Sequence, residues 1–545
     1  MELILTFSTA FLLAIALTPL TIRYAGGLGL VDMPGDERKI HTQPIPRVGG
    51  IGIVLSALIA TSYWITPEGG LWSELWGLCL GSIIIVVFGF VDDRSDLNYK
   101  LKFLGQILAI LPLLFSGVFF ETVPLLDLSP APLWISLPLT FFFMLGVINA
   151  VNLTDGLDGL AAGTMVLSLA LIVLFSALSG QHNTALVSIS IIGGLLGFLR
   201  FNTHPARVFM GDTGSQFLGF IVAALAIKAT QHDAIAISRI LPLLLVGLPV
   251  MDTLMVISIR LYQGNPPFHA DKNHTHHQLM ALGFRHYEAV ATIYLLQAAL
   301  LAAAWVFRYE NDNVLLGAYL LFCGVFLGAI WLGKITHWRL HADQASVGYE
   351  RRNQFMRRND WLYLHSSRVV EAMLGFFFIS VAFFVEVTEP VYTDIARVLV
   401  VVFSVLWGLQ LLNLLPSRVV TRMLVYSAGI VLLYTQLIDM TIHPVSNMLI
   451  DTYLAVTFVV LLLALLTTRR EVFRFDTQDL LVVLFVLLVP LLPLGGFTDI
   501  ALGRLALRFA VLLYCCEFLL GKQVQDYRLL NMAIVASMAL LAGVV

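Results

Sequence analysis

The fold is decided by the stretch PLWISLPLTFFFMLGVINAVNLTDGLDG, residues 132–159, in which a long apolar run ends in a group of polar side chains. A helix needs ~20 mainly apolar residues to cross the hydrocarbon core of a bilayer, and the first part of the stretch is that long. Asn149, Asn152, Asp155 and Asp158 follow where the apolar run stops. Carboxylates at a membrane boundary are costly unless a cation or strong hydrogen bonds meet them. The stretch therefore predicts a membrane helix that leads into a binding site.

The composition of the whole chain is that of a membrane protein. Of the 545 residues, 59% are hydrophobic and only 12% are charged, whereas soluble domains carry roughly 25% charged residues. Hydropathy indicates about eighteen apolar runs of spanning length. We expect an all-α polytopic integral membrane protein, with about 11 transmembrane helices in residues 1–333 and about 7 in residues 369–545. The net charge of -3 gives no reason to expect a nucleic-acid partner.

The distribution of basic residues predicts the orientation in the membrane. Lys and Arg concentrate in alternate loops, which include residues 23–47, 94–102, 200–207 and 260–285. The intervening segments 66–70 and 116–131 contain neither residue. Under the positive-inside rule the basic loops are cytoplasmic and the amino terminus is outside. The acidic and histidine clusters of the chain fall in the basic loops, so we expect a site at the cytoplasmic face.

Two groups of carboxylates have the spacing of a metal or phosphate site. Asp92, Asp93 and Asp96 fall within one turn of a continuing helix, and adjacent carboxylates repel unless a cation such as Mg²⁺ offsets them. The alternative is a solvated, charged helix end. In residues 155–159 the glycines permit a tight turn, and the two aspartates with the amides of Asn149 and Asn152 can orient a polar ligand. The alternative is an N-cap of the following helix, which would not need so many polar groups.

Two further clusters point to a phosphorylated ligand. In residues 211–215, a glycine-rich entry to an apolar helix offers backbone amides and a helix dipole to an anion, while Asp212 can hold a metal; such entries are common and weakly specific. His274, His276 and His277 lie in a longer loop. Zinc is the first alternative for them, but no cysteine is near, and imidazoles also bind phosphate and sugar oxygens.

The carboxyl-terminal part of the chain carries a different pattern. Residues 334–368 form a basic loop, expected to be a cytoplasmic anchor that contacts anionic membrane lipids. Arg504 and Arg508 lie four apart in an apolar run, with Glu517 farther along. We expect them to share a buried polar contact or to reach the outer interface. No acidic or histidine motif follows residue 369, so this extension is expected to serve lipid handling, assembly or coupling.

Together these motifs resemble the polyprenyl-phosphate N-acetylhexosamine-1-phosphate transferase family, whose bacterial members start O-antigen, teichoic acid and peptidoglycan intermediates. The resemblance covers about residues 1–333 and rests on an ordered set of motifs. They are DMP at 32–34, RKIH at 38–41, PRVGG at 46–50, VDD at 91–93, NLTDGLDG at 152–159, FMGD at 209–212 and HTHH at 274–277.

The resemblance implies a multi-pass protein of the bacterial inner membrane that transfers a sugar-1-phosphate from a UDP-sugar to a polyprenyl phosphate. The reaction would take place at the cytoplasmic face, release UMP, require Mg²⁺ or Mn²⁺ and initiate a cell-surface polysaccharide. UDP-GlcNAc is the expected donor and undecaprenyl phosphate the expected acceptor, because the HTHH loop is more similar to the GlcNAc-1-phosphate transferases than to the muramoyl-pentapeptide enzymes. Another UDP-N-acetylhexosamine and assembly as a homodimer remain open.

The resemblance also implies roles for individual residues. The implied metal ligands are Asp212, Asp92 and Asp93. The implied catalytic residues are Asp92, Asp93, Asp155, Asp158, His276 and His277. The implied substrate-binding residues are Lys39, Lys100, Lys102, Asn152, Asn202, Phe209 and His274, of which the two lysines at 100 and 102 would receive the lipid phosphate. Direct attack by the lipid phosphate is favoured over a covalent aspartyl-phosphate intermediate, although both remain open.

Two other classes of protein compete with the transferase interpretation. A transporter would place ionisable residues near the middle of its helices and would show related broken repeats. Here the acids cluster at one face and no internal repeat is evident. An inactive scaffold that keeps the fold is disfavoured because no motif position is visibly lost.

Overall fold

The computed structural model describes residues 2–34, 43–64, 72–126, 130–231, 237–264, 266, 273–341, 360–384, 390–412, 414–439, 444–467, 477–488, 499–520 and 527–543. Within these ranges the chain forms 20 helices and one two-stranded sheet. It divides into two compact units, Met1–Ala342 with Asp476–Phe485, and Asp343–Phe475 with Val486–Val545. The expected all-α polytopic architecture is confirmed.

The first unit contains the elements that carry the polar clusters. They are α1 (Glu2–Leu28), β1 (Val31–Asp32), β2 (Ile45–Pro46), α2 (Gly49–Trp64), α3 (Trp72–Ser95), α4 (Tyr99–Phe115), α5 (Leu133–Thr154), α6 (Leu160–Leu178), α7 (His182–Asn202), α8 (Gly211–Thr230), α9 (Leu241–Leu245), α10 (Gly247–Tyr262), α11 (Thr275–Ala281), α12 (His286–Val306) and α13 (Asp312–Ile335). The strands pair antiparallel, with Val31 opposite Pro46.

The described helices beyond residue 359 are α14 (Asp360–Phe384), α15 (Pro390–Leu411), α16 (Ser417–Asp439), α17 (Pro444–Thr467), α18 (Thr477–Leu488), α19 (Asp499–Leu520) and α20 (Arg528–Leu541). Twelve helices of the described chain are long and apolar enough to cross a bilayer, eight of them between residues 2 and 335. Several of the predicted apolar runs form shorter helices instead, so the number of full-length spans is below the expected eighteen.

One predicted run is broken for a reason that the sequence contains. The run expected from residue 237 divides into α9 and α10, because Pro249 has no N–H to donate to the carbonyl of Leu245. Ser168 Oγ (2.7 Å) and Gln297 Nε2 (3.1 Å) donate to that carbonyl instead. The backbone group freed by the proline is thus satisfied from two neighbouring helices, as an apolar environment requires.

Glycines allow the central helices to approach closely. Helices α6, α7 and α8 are buried along nearly their whole length. A Cβ atom at Gly197 of α7 would lie 2.6 Å from the Cβ of Ala14 in α1, and one at Gly193 would lie 2.5 Å from the carbonyl oxygen of Phe7. Small residues four apart are a common packing device between membrane helices, where apolar burial against lipid gives no driving force.

Glycines also let α2 and α3 approach the start of α8 closely, beside the polar clusters. A Cβ atom at Gly50 of α2 would lie 2.3 Å from the backbone nitrogen of Gly214, and one at Gly89 of α3 would lie 2.6 Å from the Cα of Thr213. Both contacts fall on the first turn of α8. The start of α8 is therefore held against α2 and α3 at backbone distance.

Two ion pairs join helices within the second unit, and the arginine of each is buried. Arg422 of α16 donates to Glu517 of α19 at 2.8 and 3.1 Å, and Tyr426 donates to the same carboxylate at 2.5 Å. Arg508 of α19 pairs with Asp451 of α17 at 2.8 Å. The expected buried contact of Arg508 with Glu517 is wrong, because each group finds its partner on another helix, far away in the sequence.

Candidate active site

Helix ends and loops of the first unit surround a polar cavity of about 1060 Å³. Its walls include Asp93 at the end of α3, Asn152 at the end of α5 and Asp212 at the start of α8. The turn between α5 and α6, the segment between α7 and α8, and His277 of α11 also line it, as do residues around β2 and His286 of α12. The cavity thus unites the clusters that lie between residues 92 and 277.

An ammonium group and two carboxylates meet beside this cavity, and one of the carboxylates, Asp212, lines it. Lys102 Nζ lies 2.6 Å from Asp92 Oδ2 and 3.1 Å from Asp212 Oδ2. Asn152 Nδ2 donates to Asp212 Oδ1 at 2.5 Å. The four residues come from the ends of α3, α4, α5 and α8. We name them the lysine–carboxylate cluster. It places opposite charges within contact distance at a membrane boundary, where an unpaired acid would be costly.

Asp93 is bound to the first turn of α8. Its Oδ1 accepts the backbone N–H of Asp212 at 2.8 Å. Its Oδ2 accepts the backbone N–H of Thr213 at 2.9 Å and the hydroxyl of Thr213 at 2.6 Å. The first N–H groups of a helix have no partner within the helix, so a carboxylate from α3 satisfies them here. Asp93 therefore fixes the position of Asp212, while its role as a metal ligand remains a prediction.

The two aspartates of the turn after α5 differ in their surroundings. Burial disfavours the charged form of Asp158, but hydrogen bonds from His204 Nδ1 (2.7 Å) and the backbone N–H of Ala206 (3.1 Å) outweigh it and lower the pKa of Asp158. Within the described residues, the Asp155 carboxylate has no comparable hydrogen bonds. Burial, followed by the negative charges of Asp212, Asp93 and Asp158, raises the pKa of Asp155 to about 7. The two aspartates of one turn therefore differ in protonation, because Asp158 is held charged while buried Asp155 is partly protonated at neutral pH.

The predicted nucleotide-binding residues line one side of the cavity. Phe209 and Asn202 both contribute to the wall. The amide of Asn202 accepts the N–H of Gly159 at 2.9 Å and donates to the carbonyl of Val208 at 2.8 Å. Asn202 therefore braces the two loops on which Asp158 and Phe209 lie. A direct contact of Asn202 with the donor stays a prediction.

A buried acid of α10 binds the start of the histidine motif. Asp252 of α10 accepts His274 Nδ1 at 2.7 Å and the backbone N–H of Thr275 at 2.6 Å. The ring of His276 covers Gly156, because a Cβ atom there would lie 2.5 Å from His276 Nε2. Burial and the neighbouring His277 lower the pKa of His276 to about 3, so this imidazole is neutral.

The three histidines thus have three different positions. His277 lines the cavity, His276 lies directly behind Gly156, and His274 is buried against α10. They do not converge on a common point, as a zinc site would require. Within the described residues, the group whose possible metal-ligand atoms all lie within 4.8 Å is Asp158, His204 and His286. The two histidine rings of that group stack at 4.0 Å.

The structure separates the predicted lysines. Lys102 belongs to the lysine–carboxylate cluster, whereas Lys100 is exposed on the first turn of α4. Neither lysine is part of the cavity wall. Lys39 lies outside the described residues, within the segment 35–42. Of the two lysines expected to receive the lipid phosphate, Lys102 is the one with access to the carboxylates.

Several residues of the site do not belong to the predicted set. Arg47 lines the cavity and pairs with Asp32 at 2.6 Å. His204 and His286 line it as well. Asp252 could have been recognised from the sequence, because an acid inside an apolar run needs a polar partner. Arg47 lies in the PRVGG motif, so the motif marked its segment although no role was assigned to the side chain. His286 is a single histidine without motif spacing and gave no such signal.

Comparison with known proteins places the chain in a family. A family model described as glycosyl transferase family 4 matches residues 75–230. A probable undecaprenyl-phosphate N-acetylglucosaminyl 1-phosphate transferase of Bacillus subtilis (strain 168) is 35% identical over 299 residues, which make up 54% of this chain and 82% of that protein. The chain therefore belongs to glycosyl transferase family 4. The expected family resemblance is confirmed.

Two further relatives differ in the substrates that their names give. A decaprenyl-phosphate N-acetylglucosaminephosphotransferase of Mycolicibacterium smegmatis is 34% identical over 289 residues, 48% of this chain and 71% of that protein. A phospho-N-acetylmuramoyl-pentapeptide-transferase of Geobacillus kaustophilus is 34% identical over 312 residues, 54% of this chain and 93% of that protein. Overall identity therefore does not distinguish between the two kinds of sugar.

The raised pKa of Asp155 predicts a pH-dependent gain in stability for Asp155→Asn. The folded protein holds a proton at about pH 7 that the unfolded chain loses near pH 4, so this carboxyl makes the free energy of unfolding fall as the pH rises between those values. In EDTA we expect the melting temperature of the variant, relative to the parent, to be higher at pH 8 than at pH 5. Thermal unfolding in detergent measures this.

The exposed Asp394 provides the control, since Asp394→Asn should leave the melting temperature unchanged at both pH values. An Asp155→Asn effect of equal size at pH 5 and pH 8 would show that this carboxyl does not carry the proton.

Proposed function

We propose that this protein transfers N-acetylglucosamine-1-phosphate from UDP-GlcNAc to undecaprenyl phosphate, releases UMP and so initiates a cell-surface polysaccharide. The observation that carries the proposal is the position of Lys102 between Asp92 and Asp212, at a helix end where a lipid phosphate and a nucleotide sugar can both arrive. Family membership and the names of two relatives support the same reaction. The positive-inside pattern supports the cytoplasmic face of the bacterial inner membrane as its location.

We also propose that Mg²⁺, or Mn²⁺ in its place, is the metal of this reaction. The donor set fits a hard divalent cation, because Asp92 and Asp212 bring carboxylate oxygens from two helices to a common cation, which in this structure is the ammonium group of Lys102. Asp93 and Asp155 line the same cavity as Asp212 and add to the carboxylates near such a cation. When bound, the cation would offset the charge of the donor diphosphate during transfer.

The chain's own residues position the two substrates for direct transfer. An oxygen of the lipid phosphate attacks the phosphorus that carries the sugar, and the bond to the phosphate of UMP breaks. Lys102 draws the lipid phosphate to the site and offsets charge during this step. A polyprenyl phosphate has a second pKa of ~6, by analogy with phosphoamino acids, so it needs no strong base at neutral pH.

The hydrogen bonds of the two adjacent aspartates favour direct transfer over a covalent intermediate. Asp92 accepts the N–H of Leu97 at 2.8 Å and pairs with Lys102, while both oxygens of Asp93 are bound to α8. Carboxylates held in this way are poorly placed to act as nucleophiles. They orient Lys102 and Asp212 instead.

The donor proposal predicts a defined product from purified protein. With Mg²⁺, undecaprenyl phosphate and UDP-GlcNAc, we expect equal amounts of UMP and lipid-linked GlcNAc-phosphate. Asp212→Asn should lower turnover at least ~100-fold, because it removes charge that the transition state needs, and EDTA should abolish it. Asp394→Asn is the matched control and should keep full turnover.

Other outcomes of this assay are equally informative. Turnover with UDP-MurNAc-pentapeptide or another UDP-N-acetylhexosamine, but none with UDP-GlcNAc, would overturn the donor assignment alone. Folded protein that accepts no donor would contradict the proposed transfer.

Direct transfer predicts that UMP is released only when the lipid acceptor is present. Incubation with UDP-GlcNAc and labelled UMP, without undecaprenyl phosphate, should therefore incorporate no label into UDP-GlcNAc. A covalent sugar-phosphate on Asp92 or Asp93 would exchange UMP reversibly, so rapid incorporation of the label would contradict direct attack.

A further inference from the structure

A network of three amide side chains lies one layer deeper in the first unit than the lysine–carboxylate cluster. Asn149 Nδ2 of α5 donates to Gln106 Oε1 of α4 at 2.8 Å. Gln106 Nε2 lies 3.3 Å from Asn149 Oδ1 and 3.4 Å from Gln216 Oε1 of α8. Gln106 and Gln216 are each only 2% exposed. We name these three residues the amide network. Asn149 is not part of the cavity wall, although its position in the motif suggested a ligand contact.

The amide network has a fixed relation to the cluster. Gln106 follows Lys102 by four residues on α4, Gln216 follows Asp212 by four residues on α8, and Asn149 precedes Asn152 by three residues on α5. Residues three or four apart lie on the same face of a helix, about one turn or ~5.4 Å from each other. Each member of the network therefore lies below one member of the cluster, on the same helix.

This arrangement fixes the heights of three helices relative to one another. An apolar contact between helices tolerates sliding, whereas a buried amide that loses its partner has no water to replace it. Hydrogen-bonding side chains thus specify register between helices, as a single buried Asn does in a coiled coil. A shift of α4 along α5 or α8 would break these bonds and move Lys102 away from Asp212 by the same amount.

We propose that Gln106, Asn149 and Gln216 are positioning residues for transfer, which set the distance between Lys102, Asn152 and Asp212. The proposal rests on the proposed function of the cluster. The helix α3 needs no member of the network, because Asp93 and the close contact at Gly89 already hold it against α8. The network supplies the equivalent constraint for α4 and α5.

The test replaces Gln106 with residues that fill the same space without an amide. In both Gln106→Leu and Gln106→Met, turnover should fall at least ~10-fold while the KM for UDP-GlcNAc stays within ~3-fold, because misplacement of catalytic groups by about 1 Å can cost ~100-fold in rate. The matched control is Gln297→Leu. Gln297 is also a buried glutamine of the first unit, but it bonds to Ser168 and Leu245, away from the cluster.

An exchange of the two amides tests whether the hydrogen bond itself is needed. The double variant Gln106→Asn with Asn149→Gln shortens one side chain by one methylene and lengthens the other. It should recover at least half of the turnover that the single Gln106→Asn variant loses. The control is Gln106→Asn with Asn149→Met, which fills similar space without the second amide. A role in packing alone predicts equal recovery in the two double variants, whereas a role of the hydrogen bond predicts recovery only with Asn149→Gln.

A readout without turnover separates this proposal from the proposed function. In thermal unfolding, the Mg²⁺ concentration that gives half of the maximal stabilisation should rise at least ~5-fold in Gln106→Leu and stay unchanged in Gln297→Leu. If the parent protein transfers no sugar phosphate, the proposed function fails, while this comparison still tests the network. Equal turnover and equal half-saturation in the Gln106→Leu and Gln297→Leu variants would overturn it.

Discussion

The carboxylates of Asp92 and Asp212 can lie side by side at a membrane boundary because the ammonium group of Lys102 stands between them. Further contacts of the first unit hold the helices that carry these residues in place. Asp93 binds the first turn of α8, and glycines at positions 50 and 89 let α2 and α3 reach the same turn at backbone distance. The site is thus rigid where it carries charge, which suits a reaction that depends on positioning and charge neutralisation.

The sequence was sufficient to predict the membrane architecture and several polar residues that line the cavity. Asp92, Asn152 and Asp212 stood out because polar groups at the end of an apolar run need partners. Their partners could not be predicted in the same way. Whether an acid such as Asp93 binds a metal or caps a helix is decided by α8, which lies more than 100 residues farther along the chain.

The residues that the motifs left out share one property. Gln106, Gln216 and Asp252 are single polar residues within apolar helices, with no motif spacing of their own. Their function depends on which helices become neighbours, and a hydropathy profile does not contain that information. The same reason accounts for the second unit, where Arg508 pairs with Asp451 rather than with Glu517 on its own helix. Lone polar residues in membrane helices thus predict a contact but not its partner.

The most direct test of this account is a measurement of Mn²⁺ binding to the purified protein by electron paramagnetic resonance. The account predicts one specific Mn²⁺ site per chain, displaced by Mg²⁺ and lost in Asp212→Asn, with the site retained in Asp394→Asn. Unchanged Mn²⁺ binding in Asp212→Asn would contradict the central claim that the lysine–carboxylate cluster is the reaction centre.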